Sequence, residues 1–490
     1  MLGFLPWMDE VHIVEMGRNF LSSGSSFGES ILLQPNGLPA IPPYYIGPTL
    51  QELLFMCFGQ TGTRLSPIIG LILAAVAFGW FMKSCGRYSR MSIIATSILA
   101  VTLPLFVQST RLVRIDTIVF FFSFLACGLL AKRKYKTAAI IAAATPFIWP
   151  TAVMLFPMFL LVHIENHESH KKLIAPVLIA IGVSITLLLP LIHIYAIAAG
   201  SLSQYFATYG GGSPSDGCFG IVQRLKALPV PIVKETLRAP FFFIIAYAGI
   251  LLSFSKRMAM FSLFSIAVII GIATGMHTFR YVYLMPYFLL FAADAIEHFS
   301  RRNILTTRAI SGLAIAYGVI CGPIAYAIAD LTYPAYDIDR ETAKMFADIP
   351  RGTLVLTNGY STYYSLRKLG ILQTSFPDNN SSGSEAINSA IIDKCEFAIL
   401  ESEDKYAAIE ESYTLYAFIR NLCLEAARRE SLSTEKSMLA KIGEAFAYGT
   451  KPSNEEQLVQ HGFYSTQQSF AIQGREYRLL KKRASDKIGQ

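Results

Sequence analysis

The chain has 490 residues, of which 53% are hydrophobic and 16% charged, and it carries a net charge of +8 with a mean hydropathy of +0.44. Soluble globular proteins hold about 25% charged residues, so this composition excludes a wholly soluble fold. Much of the basic excess sits in short loops between apolar runs, where Lys and Arg set topology, which removes the net charge as a sign of nucleic-acid binding.

Apolar runs near the ~20 residues that cross a bilayer recur through the first two thirds of the chain. Residues 1–8 are apolar but shorter than a span, and Asp9-Glu10 interrupts them at once, so no signal peptide is expected. Residues 11–62, with Pro39, Pro42, Pro43 and Pro48, read as a long loop holding a short interfacial helix at about 49–58. Spans follow at about 64–83, 91–110 and 115–131. Residues 137–164 contain Pro146, Pro150 and Pro157, each of which removes a helix donor. That stretch is predicted to be two short, broken segments that enter the membrane and return. Further spans are expected at about 173–199, 240–255, 258–276, 281–298 and 306–329.

The last 160 or so residues change character. Strand-like Thr353–Thr357 and Phe397–Leu400 alternate with helical stretches such as 403–428, and Tyr477–Leu480 reads as a final strand. The expected fold class is an α-helical polytopic membrane protein of about ten membrane segments, broken pair included, with a C-terminal soluble α/β domain. The membrane domain is placed at 1–330, with external loops 1–62 and 200–239, and the extracytoplasmic domain at 331–490. The seven cysteines form no CxxC and read mostly as small apolar residues. An extracytoplasmic C-terminal domain would allow a disulfide between Cys395 and Cys423.

Charge sets the orientation. Lys83, Arg87 and Arg90 fall in one loop and Lys132, Arg133, Lys134 and Lys136 in another. Lys171-Lys172, Lys256-Arg257, and Arg301, Arg302 and Arg308 fall in three more. With the broken pair counted as two passes, all of these loops share one side, the cytoplasmic one. A single pass would invert the later loops. The opposite side receives residues 1–62, Arg111–Asp116, the loop 200–239, the turn His277–Arg280 and everything after about 330.

Acids beside apolar spans are costly unless paired or needed, so Asp9, Glu10 and Asp116 are the sharpest candidates for chemistry. A positioned Asp acts as a general base on an acceptor hydroxyl or amine; the bland alternative is a solvated loop acid at a helix end. Arg111 and Arg114 share a helix face if helical, and Asp116 is within reach of either. They read as an ion pair anchoring the helix end, or as guanidinium groups gripping phosphate oxygens. His277 and Arg280 place positive charge on the external side, against the topological rule, as a bound anion or an interfacial anchor would require. The loop with Tyr205, Tyr209 and Gly210–Gly212 is flexible and aromatic, as an acceptor-binding loop would be. No Walker loop follows a strand, and HExxH and GxSxG are absent.

The pattern resembles the C-superfamily of membrane glycosyltransferases, the group of protein O-mannosyltransferases and bacterial lipid A aminoarabinose transferases. Trp7-Met-Asp9-Glu10 is similar to the acidic pair of that family's first external loop. Pro42-Pro43-Tyr44-Tyr45 and Phe58-Gly59 to Arg64-Leu65 follow in the family's order, Arg111–Asp116 resembles its second acidic site, and Arg280-Tyr281 to Pro286 its late Arg-Tyr-Leu-Pro span. The resemblance covers roughly 1–330 in order and spacing. The family places a complete span ahead of the acidic pair, where this chain supplies eight residues.

The resemblance implies a polyprenyl-phosphate sugar donor, a lipid, glycan or protein acceptor, and a bacterial inner membrane location. It implies Asp9 as base in an inverting displacement, with Glu10 and Asp116 orienting acceptor or sugar. Arg280 and His277, with Arg111 or Arg114, would hold the donor phosphate, and Tyr205 and Tyr209 the acceptor. Some relatives need a divalent metal; with no further acidic pair here, none is expected. The alternative is a non-enzymatic transporter or flippase of a lipid-linked glycan, although related halves and midplane charges are not seen. A polysaccharide ligase or polymerase would concentrate its key residues in one large external loop, and 200–239 holds few charges.

Overall fold

The structure is a computed structural model that describes residues 8–22, 32–33, 45–165, 174–198, 229–256, 262, 264–269, 281–332, 338–357, 361–375, 394–403, 414–431, 436–446, 458–459, 463–472 and 475–482. The chain divides into two compact units. One takes Pro43–Ala327 with Ser412–Tyr416, and the other Met1–Pro42 with Ile328–Glu411 and Ala417–Gln490.

The first unit is helical. Its helix Ile46–Ser84 runs 39 residues but breaks at Gly59, whose φ of 62° and ψ of −155° are open to glycine and closed to most residues. The two arms correspond to the interfacial helix expected at 49–58 and the span expected at 64–83. The trailing arm packs against the helix Asp116–Ala131 through small residues. The Thr117 hydroxyl donates to the Pro67 carbonyl at 2.9 Å, a Cβ on Gly70 would lie 2.8 Å from Thr117 Oγ1, and one on Gly128 would lie 2.2 Å from the Trp80 ring. Membrane helices associate by this kind of close packing, because lipid tails supply no hydrophobic drive.

The span expected at 91–110 is instead two helices, Arg90–Thr102 and Pro104–Arg111, bent by 43°. Pro104 lacks the N–H that would continue the first helix and starts the second at its first turn. Among the described residues, three helices are long and apolar enough to cross a membrane: Ile46–Ser84, Ile174–Ile192 and Ile304–Ile328, or four with the bent pair counted. The expected count of about ten is not confirmed. Asp116–Ala131, Tyr135–Ile148, Pro150–Ile164 and Pro240–Leu252 are apolar but only 10–17 residues long, about 15–25 Å at 1.5 Å per residue, against a hydrocarbon core of ~30 Å. Most of the stretch 258–276 lies outside the described residues. Along Ile174–Ile192, Val177, Leu178, Ile181, Ile185 and Leu189 are exposed, a surface that suits hydrocarbon rather than water.

Polar contacts sort the loops of this unit by end. Tyr88 donates to Asp294 at 2.9 Å, the Ser89 N–H donates to Glu297 at 2.7 Å, and the Lys132 ammonium lies 5.7 Å from the Trp80 ring centre. The basic loops at 83–90, 132–136 and 301–302 therefore share one end. Arg114 lies 5.7 Å from the Trp149 ring, at the far end of the helix Tyr135–Ile148. The chain turns there through the 3-10 segment Pro150–Leu155 and returns along Phe156–Glu165, until His163 meets Tyr135, ring centres 6.3 Å apart. The Pro-rich stretch thus doubles back on itself, the reversal expected of two short, broken segments. Lys171, Lys172 and Arg257 lie outside the described residues.

Among the described residues, the second unit is built on a mixed six-stranded sheet of order β1-β3-β2-β4-β6-β5. Its strands are β1 Leu32–Leu33, β2 Leu354–Thr357, β3 Leu372–Ser375, β4 Phe397–Glu403, β5 Phe463–Ile472 and β6 Arg475–Lys482. β1, β3, β2 and β4 are parallel neighbours, and β6 and β5 add antiparallel. Alternation along the strands feeds two cores. Val355, Ile399 and Leu479 join Met345, Phe346 and Leu366 on one face, and Leu356, Ala398, Leu400 and Leu480 join Cys395 and Phe463 on the other. The helix Tyr363–Leu369 ends at Gly370 with φ 71°, a left-handed cap that glycine favours. The strands expected at 353–357, 397–400 and 477–480 are β2, β4 and β6. The helix expected at 403–428 is Leu415–Arg429, preceded by residues outside the described set. A boundary at residue 330 differs from the observed grouping at the N-terminal end, where β1 pairs in register with Gln373 and Thr374 of β3.

Two measurements check this packing. A Cβ on Gly249 would lie 1.9 Å from the Phe291 carbonyl oxygen, so Gly249→Leu is expected to lower stability by about 1–3 kcal/mol or more, read as a lower melting temperature in detergent. Cys395 and Cys423 are buried thiols, with burial pushing Cys395 up to about 12 and Cys423 above its ordinary value. Because the thiolate is the nucleophile, both are expected to resist a maleimide at neutral pH until denaturant unfolds the protein. Rapid labelling of either under native conditions would contradict this core.

Candidate functional site

The helix Pro104–Arg111 ends in a Schellman motif. The Arg114 N–H donates to the Ser109 carbonyl and the Val113 N–H to the Thr110 carbonyl, both at 3.1 Å. The left-handed position that glycine usually fills is taken by Val113, at φ 54°. A β-branched residue there is strained by about 1–3 kcal/mol. The turn reverses the chain so that Arg114 and Asp116 meet at the start of the helix Asp116–Ala131.

Asp116 is fully buried and both of its oxygens are engaged. Oδ2 accepts from Arg114 Nε at 2.5 Å and from the Ser109 hydroxyl at 3.2 Å. Oδ1 accepts from the Tyr283 hydroxyl at 2.7 Å. The carboxylate also sits at a helix N-terminus, where the helix dipole favours negative charge. Arg114 is 6% exposed, with the Trp149 ring beside its guanidinium. Tyr283 is packed edge-on against Phe120, ring centres 5.2 Å apart. The sequence left open whether Asp116 pairs with Arg111 or Arg114. The structure pairs it with Arg114, while Arg111 lies 5.0 Å from the Tyr326 ring. A carboxylate held this way is a fixed acceptor, suited to orienting a hydroxyl or amine rather than to taking its proton.

The other sequence candidates divide as follows. Glu10 lies in the helix Met8–Ser22 of the second unit, fully buried, and accepts from the Tyr364 hydroxyl at 3.1 Å. One turn on, Glu15 accepts from the Tyr363 hydroxyl. Asp9 lies in the same helix, but its side chain is outside the described residues. His277, Arg280, Tyr205 and Tyr209 are also outside them. No group of three His, Cys, Asp or Glu suited to a metal occurs among the described residues. Sequence reasoning missed Ser109, Trp149 and Tyr283 as partners of the Arg114–Asp116 pair. Tyr283 carried a signal, as a phenol inside an otherwise apolar run; Ser109 carried none.

No protein-family model matches the chain, and no curated protein sequence matches it. Among solved structures, the chain is similar to the apo crystal structure of an oligosaccharyltransferase from Archaeoglobus fulgidus, at 13% sequence identity and a TM-score of 0.48, covering 85% of this chain and 69% of that one.

Removing either of two donors to Asp116 tests the site's electrostatics. Arg114→Ala leaves a buried carboxylate without its cation and is expected to cost about 3–5 kcal/mol. Tyr283→Phe removes one hydrogen bond to a charged group and is expected to cost about 1.5–3 kcal/mol. Denaturant titration in detergent reads both, and an Arg114→Ala protein as stable as the parent would show that the Arg114–Asp116 contact does not hold the turn.

Proposed function

We propose that the chain is a membrane glycosyltransferase that moves a sugar from a polyprenyl-phosphate donor to an extracytoplasmic acceptor by inverting displacement. The observation that carries the reading is the buried Arg114–Asp116 pair, bonded to Tyr283 and Ser109 and placed at the end of the helical unit opposite the basic loops. Intramembrane and boundary charges of this kind serve function by default, because an apolar bundle has cheaper ways to be stable. The order of motifs in the sequence supplies the substrate class.

In this reading Asp9 is the base. It takes the proton of the acceptor hydroxyl or amine, the acceptor atom bonds to the anomeric carbon from the face opposite the phosphate, and the anomeric carbon–oxygen bond breaks. The leaving group is polyprenyl phosphate. Asp116, with both oxygens already fixed, orients a sugar or acceptor hydroxyl, and Glu10 has the same kind of role in the acidic pair. Arg280 and His277, with Arg111, hold the departing phosphate. Arg114 contributes through Asp116, since its Nε is committed there. Tyr205 and Tyr209 belong to the acceptor loop. The basic loops face the cytoplasm of a bacterial inner membrane, which puts the reaction on the outer side.

The test is transfer of radiolabelled sugar from polyprenyl-phosphate donors by the full chain in nanodiscs. Asp9→Asn is expected to lower kcat by about 10²–10⁴-fold, the range of general acid–base catalysis, and Asp116→Asn to lower it less while raising KM. Undiminished transfer by Asp9→Asn would remove it as the base. Movement of intact lipid-linked glycan across vesicles, without sugar transfer, would identify a transporter instead.

A further inference from the structure

Two segments that hold Asp116 also reach a second polar centre. Gln108 stands one residue before Ser109, and its Oε1 accepts from Arg238 Nη1 at 2.9 Å. Arg238 pairs with Glu235 at 2.8 Å. Both lie on the helix Pro229–Arg238, and both are buried. Tyr281 stands two residues before Tyr283. It is 1% exposed, and its ring lies 6.1 Å from that of Phe288, which lies 6.1 Å from the Tyr247 ring in turn. The Tyr247 hydroxyl is tied to the same helix, 2.7 Å from the Thr236 hydroxyl. Among the described residues the Tyr281 hydroxyl has no hydrogen-bond partner. Such a group costs stability in the empty protein and is relieved by whatever bonds to it.

The donor and acceptor set selects the ligand. The Glu235 carboxylate stands 2.8 Å from Arg238 Nη1, so a negative group shares the centre with the cation and it is not a simple anion hole. Glu235 would repel a phosphate, and Arg238 and Lys234 would repel a cation. A neutral polyhydroxylated ring suffers neither penalty. Each of its hydroxyls both donates and accepts, so it can give to Glu235 and Gln108 and take from Arg238 and Tyr281. Adjacent chain positions place this centre beside the Asp116 centre: Gln108 next to Ser109, and Tyr281 two residues from Tyr283.

We propose that Glu235, Arg238, Gln108 and Tyr281 form a sugar-hydroxyl subsite that determines which sugar the protein accepts. The proposal deepens the transferase reading and rests on it for the sugar being the one transferred. Tyr281→Phe is the decisive variant, because losing a hydroxyl with no partner should leave the melting temperature unchanged or raise it.

The full chain in detergent is titrated with a panel of methyl glycosides, and separately with inorganic phosphate, by thermal shift. The matching polyprenyl-phosphate sugars are then assayed for transfer. At least one glycoside is expected to stabilise the parent, with Tyr281→Phe and Glu235→Gln each weakening that binding about tenfold, in line with loss of one or two hydrogen bonds. Three results would overturn the subsite: no glycoside binding by the parent, parent-like binding by Tyr281→Phe, or a phosphate shift that Tyr281→Phe abolishes. Glycoside binding that depends on Tyr281, with no transfer from any donor, would sustain the subsite and overturn the transferase reading alone.

Discussion

An ionised carboxylate inside an apolar helical unit must be met by donors, and Asp116 dictates the structure around it. One donor comes from the helix before it, one from the turn leading into it, and one from Tyr283, 167 residues away. That last bond ties the segment ahead of the helix Met285–Ser300 to the start of the helix Asp116–Ala131. The turn is strained at Val113 because only a left-handed residue there brings Arg114 back over Asp116. The Trp149 ring then covers the guanidinium from the point where the Pro-rich stretch reverses. Four separate parts of the helical unit are thus fixed by the need to satisfy one side chain.

Helix packing makes that convergence possible. Gly70, Gly128 and Gly249 sit where a Cβ would strike a neighbouring helix, and their absence of side chain lets backbones approach closely. Short helices follow from the same logic. Pro104 and Pro150 cut the chain near the Asp116 end, and the segments they start re-aim the backbone instead of running straight through the bilayer. A bundle of uninterrupted spans would have nowhere to gather Arg114, Trp149 and Tyr283.

Hydropathy and proline placement made much of the helical unit legible in advance. The chain reversal within 137–164 followed from Pro146, Pro150 and Pro157, and the shared end of the three described basic loops from counting Lys and Arg. The break of 91–110 at Pro104 was missed, because a run apolar throughout hides a bend that one proline imposes. In the second unit, β2, β4 and β6 are apolar enough to read as strands, whereas β5, with Ser465–Ser469 at its centre, is polar, and β1 is two residues long. A two-residue run such as β1 does not reveal its pairing with β3, hundreds of residues away. For the site, acids and arginines at apolar boundaries singled out Asp116 and Arg114, but not which arginine paired. The choice depends on the left-handed turn at Val113, a residue whose type argues against such a turn.

That mismatch bears on what the centre is for. A buried ion pair is weak evidence of stability, since well-packed apolar residues of similar volume usually do as well or better. Here the pair also comes with backbone strain at Val113 and with a second buried pair, Glu235–Arg238, reached from the same two segments. Each of these raises the free energy of the folded protein relative to an apolar alternative. They occur together at one end of the unit, away from the basic loops, and among the described residues the Tyr281 hydroxyl has no hydrogen-bond partner. Costs of this kind are what the proposed site would carry, since it must present fixed acceptors and donors to a polar ligand at a membrane surface.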